Sequence, residues 1–375
     1  MIGVLDEHLG YVSDPIRLEK FRTAIACSVL SGDRVADLGC GSAVLGLFCL
    51  QAGAGHVDAI DSTAAIQLAK DSLRRSGWDS HTNFIHSSSY RAELSERVDV
   101  VICDHVGYFG FDYGLIEMLA DARHRFLKPG GKLIPGHLKL NIAAVESENC
   151  HALAEGWNAP GIPPEFHWLR KSGVNSKYAV KLQLEDVLGG PSELACIDLY
   201  AENPDFFSWN AELSVDRDGV LHGLAGWFDC ELAEGVWMTN SPLSKQAIDR
   251  QQAFLPINEA LRVKAGDLVS ITVLARPADN LIAWELRHPA TGKRFSHSTW
   301  QGDVMMQQQL VRAQPDYVPQ LSPTARARAV VLGLCDGQRS VSAIQDAVNR
   351  EHPHLFPSEK EIARFVASVL RNNTE

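Results

Sequence analysis

One nonapeptide limits this chain more than any other feature. Arg34-Val35-Ala36-Asp37-Leu38-Gly39-Cys40-Gly41-Ser42 reads as a buried strand that ends in a Gly-x-Gly turn and feeds straight into an apolar helical window, Val44 to Gln51. Glycines in such a turn let a ligand approach the backbone closely, and the start of the helix offers unpaired N–H groups to a carboxylate or hydroxyl. A dinucleotide fold wants a third glycine where this chain has Val44, so a pyrophosphate is a poor fit. The next strand ends at Asp61, twenty residues after Gly41, where such folds set a carboxylate on a ribose diol. Taken alone, the turn fits ordinary tight-turn chemistry equally well.

The surrounding pattern predicts a doubly wound parallel sheet. Strands are expected at Arg34 to Leu38, Val57 to Ile60, Asn83 to His86 and Val98 to Cys103. Between them Val44 to Gln51, Ala64 to Ser76 and Leu115 to Phe126 carry apolar residues at the three-to-four spacing of amphipathic helices. After Lys128-Pro129-Gly130-Gly131 the signal changes to alternating strands at Leu138 to Glu146, Ala195 to Ala201, Val220 to Leu232, Leu268 to Ala275, Leu281 to His288 and Arg294 to Trp300. That run suggests an antiparallel sandwich or barrel, with Gly156 to Pro164 as an excursion from it. A polar stretch from Gln301 to Pro323 reads as a linker to three helical windows, Thr324 to Leu334, Val341 to Arg350 and Glu359 to Arg371. The expected domains are therefore 1–137, Rossmann-like; 138–305, a β-barrel; and 318–375, a small helical domain.

Composition narrows the partners. The chain of 375 residues carries a net charge of −11, so its summed field repels nucleic acid and anionic membranes. Eight cysteines stand singly, with no Cys-x-x-Cys and no Cys/His ligand spacing, which predicts neither a disulfide framework nor a metal site. Acidic residues among the first twenty and the want of a long apolar run predict a cytoplasmic protein.

Asp37, the two glycines, Asp61 and Leu127-Lys128-Pro129-Gly130-Gly131, in that order, resemble a class I S-adenosylmethionine-dependent methyltransferase. The resemblance implies S-adenosylmethionine as cofactor. Asp37, Gly39 and Gly41, with Cys40 between them, would line the methionyl and sulfonium region, while Asp61 with its neighbour Ser62 would take the ribose hydroxyls. Where the family often sets an acid against adenine this chain has His86-Ser87-Ser88-Ser89, so that contact falls to Ser88 or to backbone.

Three segments are similar to the protein arginine methyltransferases: Gln51 to Val57, Val98 to Tyr108, and Ala122-Arg123 on the helix that follows. In that family two carboxylates hold a guanidinium bidentately with one nitrogen in line with the methyl sulfonium. The first position here is Asp104, one methylene shorter, and the second is Tyr113, with Asp112 beside it and Glu117 one helical turn later as substitutes. Ile248 to Gln252 stands where the family has Thr-His-Trp. Asp104, Asp112 and His105 are the candidate catalytic residues, and Tyr108, Tyr113 and Glu117 the candidate acceptor-pocket residues. Tyr113 also suits a neutral acceptor such as an imidazole, amide or hydroxyl. Phe21-Arg22-Thr23 resembles the helix whose arginine, here Arg22, meets the cofactor carboxylate, and His8-Leu9-Gly10 a flap over it. Pairing of two copies through an arm near Gly156 to Pro164 is also implied. The last helices, with Leu334 to Val341, look like those of PqqD-like domains, which hold precursor peptides.

The expected activity is N-methylation of an arginine-like or other nitrogen acceptor in a ribosomally made peptide. The alternatives are an inert peptide-binding scaffold or a methyltransferase of small metabolites.

Overall fold

The computed structural model describes residues 4–303, 311–312, 314–371 and 373. Residues 304–310 and 313 of the expected linker lie outside them. Contacts divide the chain into two compact units, Met1–Asp303 and Val304–Glu375.

In the larger unit, five strands form a parallel sheet in the order β3-β2-β1-β4-β5. These are β1 (Arg34–Leu38), β2 (His56–Asp61), β3 (Thr82–His86), β4 (Val98–Cys103) and β5 (Leu127–Ile134). The strands are short and apolar because both faces are covered, and Val35, Ala36, Leu38, Val57, Val101 and Ile102 are wholly buried. Helices α1 (Val4–Ser13), α2 (Pro15–Ser28), α3 (Val44–Gln51), α4 (Ala65–Arg75) and α5 (Leu115–Arg125) accompany them. Strand order reverses between β1 and β4, so a crevice opens at their carboxyl ends, the usual ligand position of such sheets.

Helix α2 begins where Asp14 caps it, its Oδ1 accepting from the Ile16 and Arg17 N–H groups, with Pro15 at the first helical position. The other oxygen of Asp14 accepts from the Asp249 N–H at 2.7 Å, tying α2 to the strand-rich half.

That half is not a closed barrel, as the sequence pattern had suggested. It is two antiparallel sheets. One runs β7-β12-β10-β6-β8, with β11 on β10, and the other β15-β14-β13-β9. The strands are β6 (His137–Val145), β7 (Tyr178–Val180), β8 (Ser192–Asp198), β9 (Phe207–Ser214), β10 (Gly219–Ala233), β11 (Val236–Thr239), β12 (Gln252–Val263), β13 (Leu268–Arg276), β14 (Leu281–His288) and β15 (Lys293–Ser298). Closure would need ladders at both seams, β8 with β9 and β7 with β15, and neither pair is joined among the described residues. A side chain bridges the sheets instead: Trp284 of β14 is buried and donates its indole N–H to Pro256 O of β12 at 2.8 Å.

The Gly156 to Pro164 excursion is built of helical turns that follow α6 (Glu148–Glu155). In the smaller unit, helices Pro323–Gly333, Val341–Glu351 and Glu359–Arg371 bury Val331, Ile344, Val348, Ile362, Val366 and Val369 on one another.

Candidate active site

A cavity of about 660 Å³ opens at the carboxyl ends of β1, β2 and β4. Of the residues singled out in the sequence, Asp37, Gly39, Cys40, Gly41, Asp61, Ser62, Ser88, Asp104, His105 and Tyr113 line it.

The turn after β1 has the shape the sequence asked for. Gly39 and Gly41 have φ of +63° and +54°, a region where a side chain is strained. Two histidines then lie against the space a side chain would take: a Cβ on Gly39 would collide with the His105 ring, and one on Gly41 would sit 2.6 Å from His8 Cε1. His8, in the segment expected to form a flap, thus lies beside Gly41 of the loop. Asp61 locks the same turn from below, its Oδ2 accepting the Gly41 N–H at 2.9 Å and its Oδ1 accepting Thr63 N–H and Oγ1–H, each at 2.7 Å.

Asp37 is buried, and its Oδ2 accepts the Gly46 N–H at 2.9 Å. Burial lifts its pKa from 3.8 to about 7, against the pull of that hydrogen bond, and the nearby Asp61 charge adds to the rise. The folded chain therefore keeps a proton that the unfolded chain has lost. This contribution to stability is full below 3.8 and is lost as pH rises through about 7. Thermal melts across that window are expected to show stability falling with rising pH, and Asp37→Asn to flatten the slope; an unchanged slope in the variant overturns the assignment.

Asp104 sits at the end of β4 with its carboxylate buried. Oδ2 accepts from Arg17 through Nε at 2.6 Å and through a second guanidinium nitrogen, and the Arg250 guanidinium lies 3.7 Å from the same oxygen. Oδ1 is buried with no hydrogen-bond partner among the described residues. His105, whose pKa burial lowers, rests its Nδ1 3.5 Å from Cys103 Sγ. Burial holds the Cys103 thiol in its protonated form.

Four expected residues lie off the cavity wall. Arg22 is exposed and stacks its guanidinium 4.2 Å from the Phe48 ring centre. Arg17 lines the cavity instead, because Arg17, Phe21, Ala24, Ile25 and Ser28 form the buried stripe of α2 and Arg22 falls outside it. Asp112 is turned inward: it pairs with Lys177 and accepts the Phe109 N–H at 2.5 Å. Glu117 is half-buried at the start of α5, with its pKa raised by burial. Tyr108 packs edge-on to Tyr113, ring centres 6.4 Å apart.

Sequence reasoning passed over Arg17 and Tyr11, which line the cavity, and Lys177, which neutralises Asp112. Helical phase was a usable signal for Arg17. Among the described residues no three His, Cys, Asp or Glu side chains gather as metal ligands, and no helix is long and apolar enough to cross a membrane.

Residues 19–137 match the family model for the methyltransferase small domain, and residues 139–286 that for the arginine methyltransferase oligomerization subdomain. Protein arginine N-methyltransferase 6 of Xenopus laevis is 27% identical over 286 residues, 72% of this chain and 84% of that protein. Probable protein arginine N-methyltransferase 6.2 of Oryza sativa subsp. indica is 27% identical over 304 residues, 76% and 73% of the two chains. Among solved structures, a chain of the Trypanosoma brucei PRMT1 enzyme-prozyme heterotetrameric complex with AdoHcy superposes with a TM-score of 0.69 at 18% identity, covering 78% of this chain and 96% of that one. Arabidopsis thaliana protein arginine methyltransferase 10 gives a TM-score of 0.67 at 21% identity, covering 78% and 97%.

Proposed function

We propose that this chain, which is an S-adenosylmethionine-dependent methyltransferase, methylates a side-chain nitrogen of a protein or peptide, arginine-like or another. The observation that carries the reading is the continuity of one cavity from the Gly39–Gly41 turn and Asp61 to Asp104 and Tyr113. The curated relatives, named as arginine methyltransferases, support a nitrogen acceptor on a protein.

S-adenosylmethionine is the cofactor, and the residues present fit it. Asp61 would take its ribose hydroxyls, the turn and Asp37 would face the methionyl part, Ser88 would meet the adenine edge, and Arg17, on the same cavity wall, would meet its carboxylate. When bound, it supplies an electrophilic methyl on a positively charged sulfur. The chain's own share is to orient the acceptor against Asp104, to cover the turn with His8 and His105, and to exclude water. No strong base is required, because the leaving sulfur departs neutral.

A ribosomally made precursor peptide as the acceptor belongs to the same proposal. The support is the sequence from Leu334 to Val341, read as similar to that of peptide-holding PqqD-like domains, in a unit of three helices. Two copies pairing through the Gly156 to Pro164 excursion belong to it as well, supported by exposed Trp157, Phe166 and Trp168 in that region. A single-copy mass in solution would remove this part.

The experiment is incubation of the full chain with methyl-labelled cofactor and, in parallel, peptide pools and a mixture of small metabolites, read by mass spectrometry. Label on a side-chain nitrogen, with S-adenosylhomocysteine released in equal amount, is the expected result. Label on free metabolites and on no peptide would move the reading to a small-molecule enzyme.

A further inference from the structure

We propose that the acceptor is the neutral imidazole of a histidine side chain, its N–H held by Asp104 Oδ1. This rests on the reading above, that the cavity methylates a side-chain nitrogen, and names which one.

The argument begins with charge. A guanidinium or an ammonium enters as a cation and needs a free carboxylate in a water-poor site. The cavity offers little to receive it. Asp104 has spent Oδ2 on Arg17, and Arg250 stands 3.7 Å from the same oxygen, so one carboxylate already faces two guanidinium groups. Asp112 is taken by Lys177 and the Phe109 N–H, and neither it nor Glu117 reaches the cavity wall. At the place of a second acid stands Tyr113, an aromatic side chain on the wall.

What remains on the cavity wall is Asp104 Oδ1, buried and without a hydrogen-bond partner; the other such carboxylate oxygen among the described residues, Glu117 Oε2, belongs to a residue off the wall. A buried acceptor left unmade costs about 1–3 kcal/mol, so a ligand bringing a single N–H gains that back. Neutral imidazole brings one N–H and, on the opposite side of a flat ring, one in-plane lone pair. A primary amide has its nitrogen pair delocalised into the carbonyl, and a hydroxyl or ammonium must first lose a proton. Among nitrogen-bearing side chains, imidazole alone is both nucleophilic and uncharged near neutral pH.

With the N–H on Asp104 Oδ1, the other ring nitrogen uses its lone pair to form the N–C bond while the C–S bond breaks and sulfur keeps that electron pair. The positive charge moves from sulfur to the ring, which becomes a methylimidazolium cation, so the net charge of the site does not change. Its N–H proton passes to solvent after the product leaves. Atoms and charge balance without an added base or oxidant.

Two measurements test this. In the first, full-length protein and S-adenosylmethionine are incubated with degenerate peptide pools that each contain a single His, Arg or Lys, and products are located by tandem mass spectrometry. Methylhistidine is expected, with the Arg and Lys pools at background, and Asp104→Asn is expected to cut the yield roughly 100-fold while cofactor binding persists. Methylarginine or methyllysine as the main product overturns the imidazole assignment and leaves the nitrogen reading standing. No transfer to any pool overturns both.

The second measurement needs no turnover: ligand-observed NMR with methylimidazole and methylguanidinium as probes on the cofactor-free protein. Methylimidazole is expected to bind, to weaken about tenfold in Asp104→Asn, and to outcompete methylguanidinium. Preference for methylguanidinium overturns the proposal.

Discussion

Asp61→Ala is expected to weaken S-adenosylmethionine binding by at least about 100-fold in calorimetry, the largest effect of any single change in the cradle. The carboxylate does two jobs. Its oxygens hold the Gly41 and Thr63 N–H groups and the Thr63 hydroxyl, so they set the loop on which the cofactor would lie. The same group is the one placed to accept the ribose hydroxyls. Hydrogen bonds to a charged group are worth about 1.5–3 kcal/mol each, and two of them exceed the stated loss. Asp61→Asn keeps the shape and one acceptor oxygen, so it is expected to bind better than the alanine variant. Melting temperature separates a lost ligand contact from a lost fold. Wild-type-like affinity in the alanine variant, within about threefold, would remove Asp61 from the cofactor site.

Asp61 was legible in the sequence because the signal is local. Residues at the carboxyl ends of buried parallel strands lie at the crevice; Asp37 next to last in β1, Asp61 last in β2 and Asp104 just beyond β4 therefore meet at one cavity. Arg22 was misplaced by one helical face. Nothing in the triplet Phe21-Arg22-Thr23 alone gives the phase, whereas the cap at Asp14 and the stripe from Arg17 to Ser28 do. Strand β9, Phe-Ser-Trp-Asn-Ala-Glu-Leu-Ser, was missed although it alternates with period two. β12 was harder, since it contains Pro256 and a polar Asn258-Glu259 pair and meets β10 through an irregular register. Closure of the strand-rich half rests on which edges pair, and no local pattern encodes that.

Asp112 shows most clearly where sequence reasoning stops. Its neighbour in sequence is the acceptor position Tyr113, yet its partner is Lys177, sixty-five residues away in a stretch without periodic signal. Their side chains are 1% and 5% exposed. Lys177 also donates to Asn280 Oδ1 at 3.1 Å and lies 4.9 Å from the centre of the Tyr108 ring. Gly107 leaves room for the fold: a Cβ there would sit 2.5 Å from the Asp112 carboxylate. Lys177→Met is therefore expected to destabilise the larger unit by about 3–5 kcal/mol, because it strands a carboxylate in a site from which water is excluded. In a thermal melt this corresponds to a drop on the order of 5–10 °C. The paired variant Lys177→Met with Asp112→Leu removes both charges and is expected to recover most of the loss, since an apolar pair pays no desolvation cost. A Lys177→Met loss below about 1 kcal/mol would mean that the pair is hydrated and that Asp112 is free to turn toward the cavity. That outcome would return a second carboxylate to the acceptor site and, with it, room for a cationic substrate.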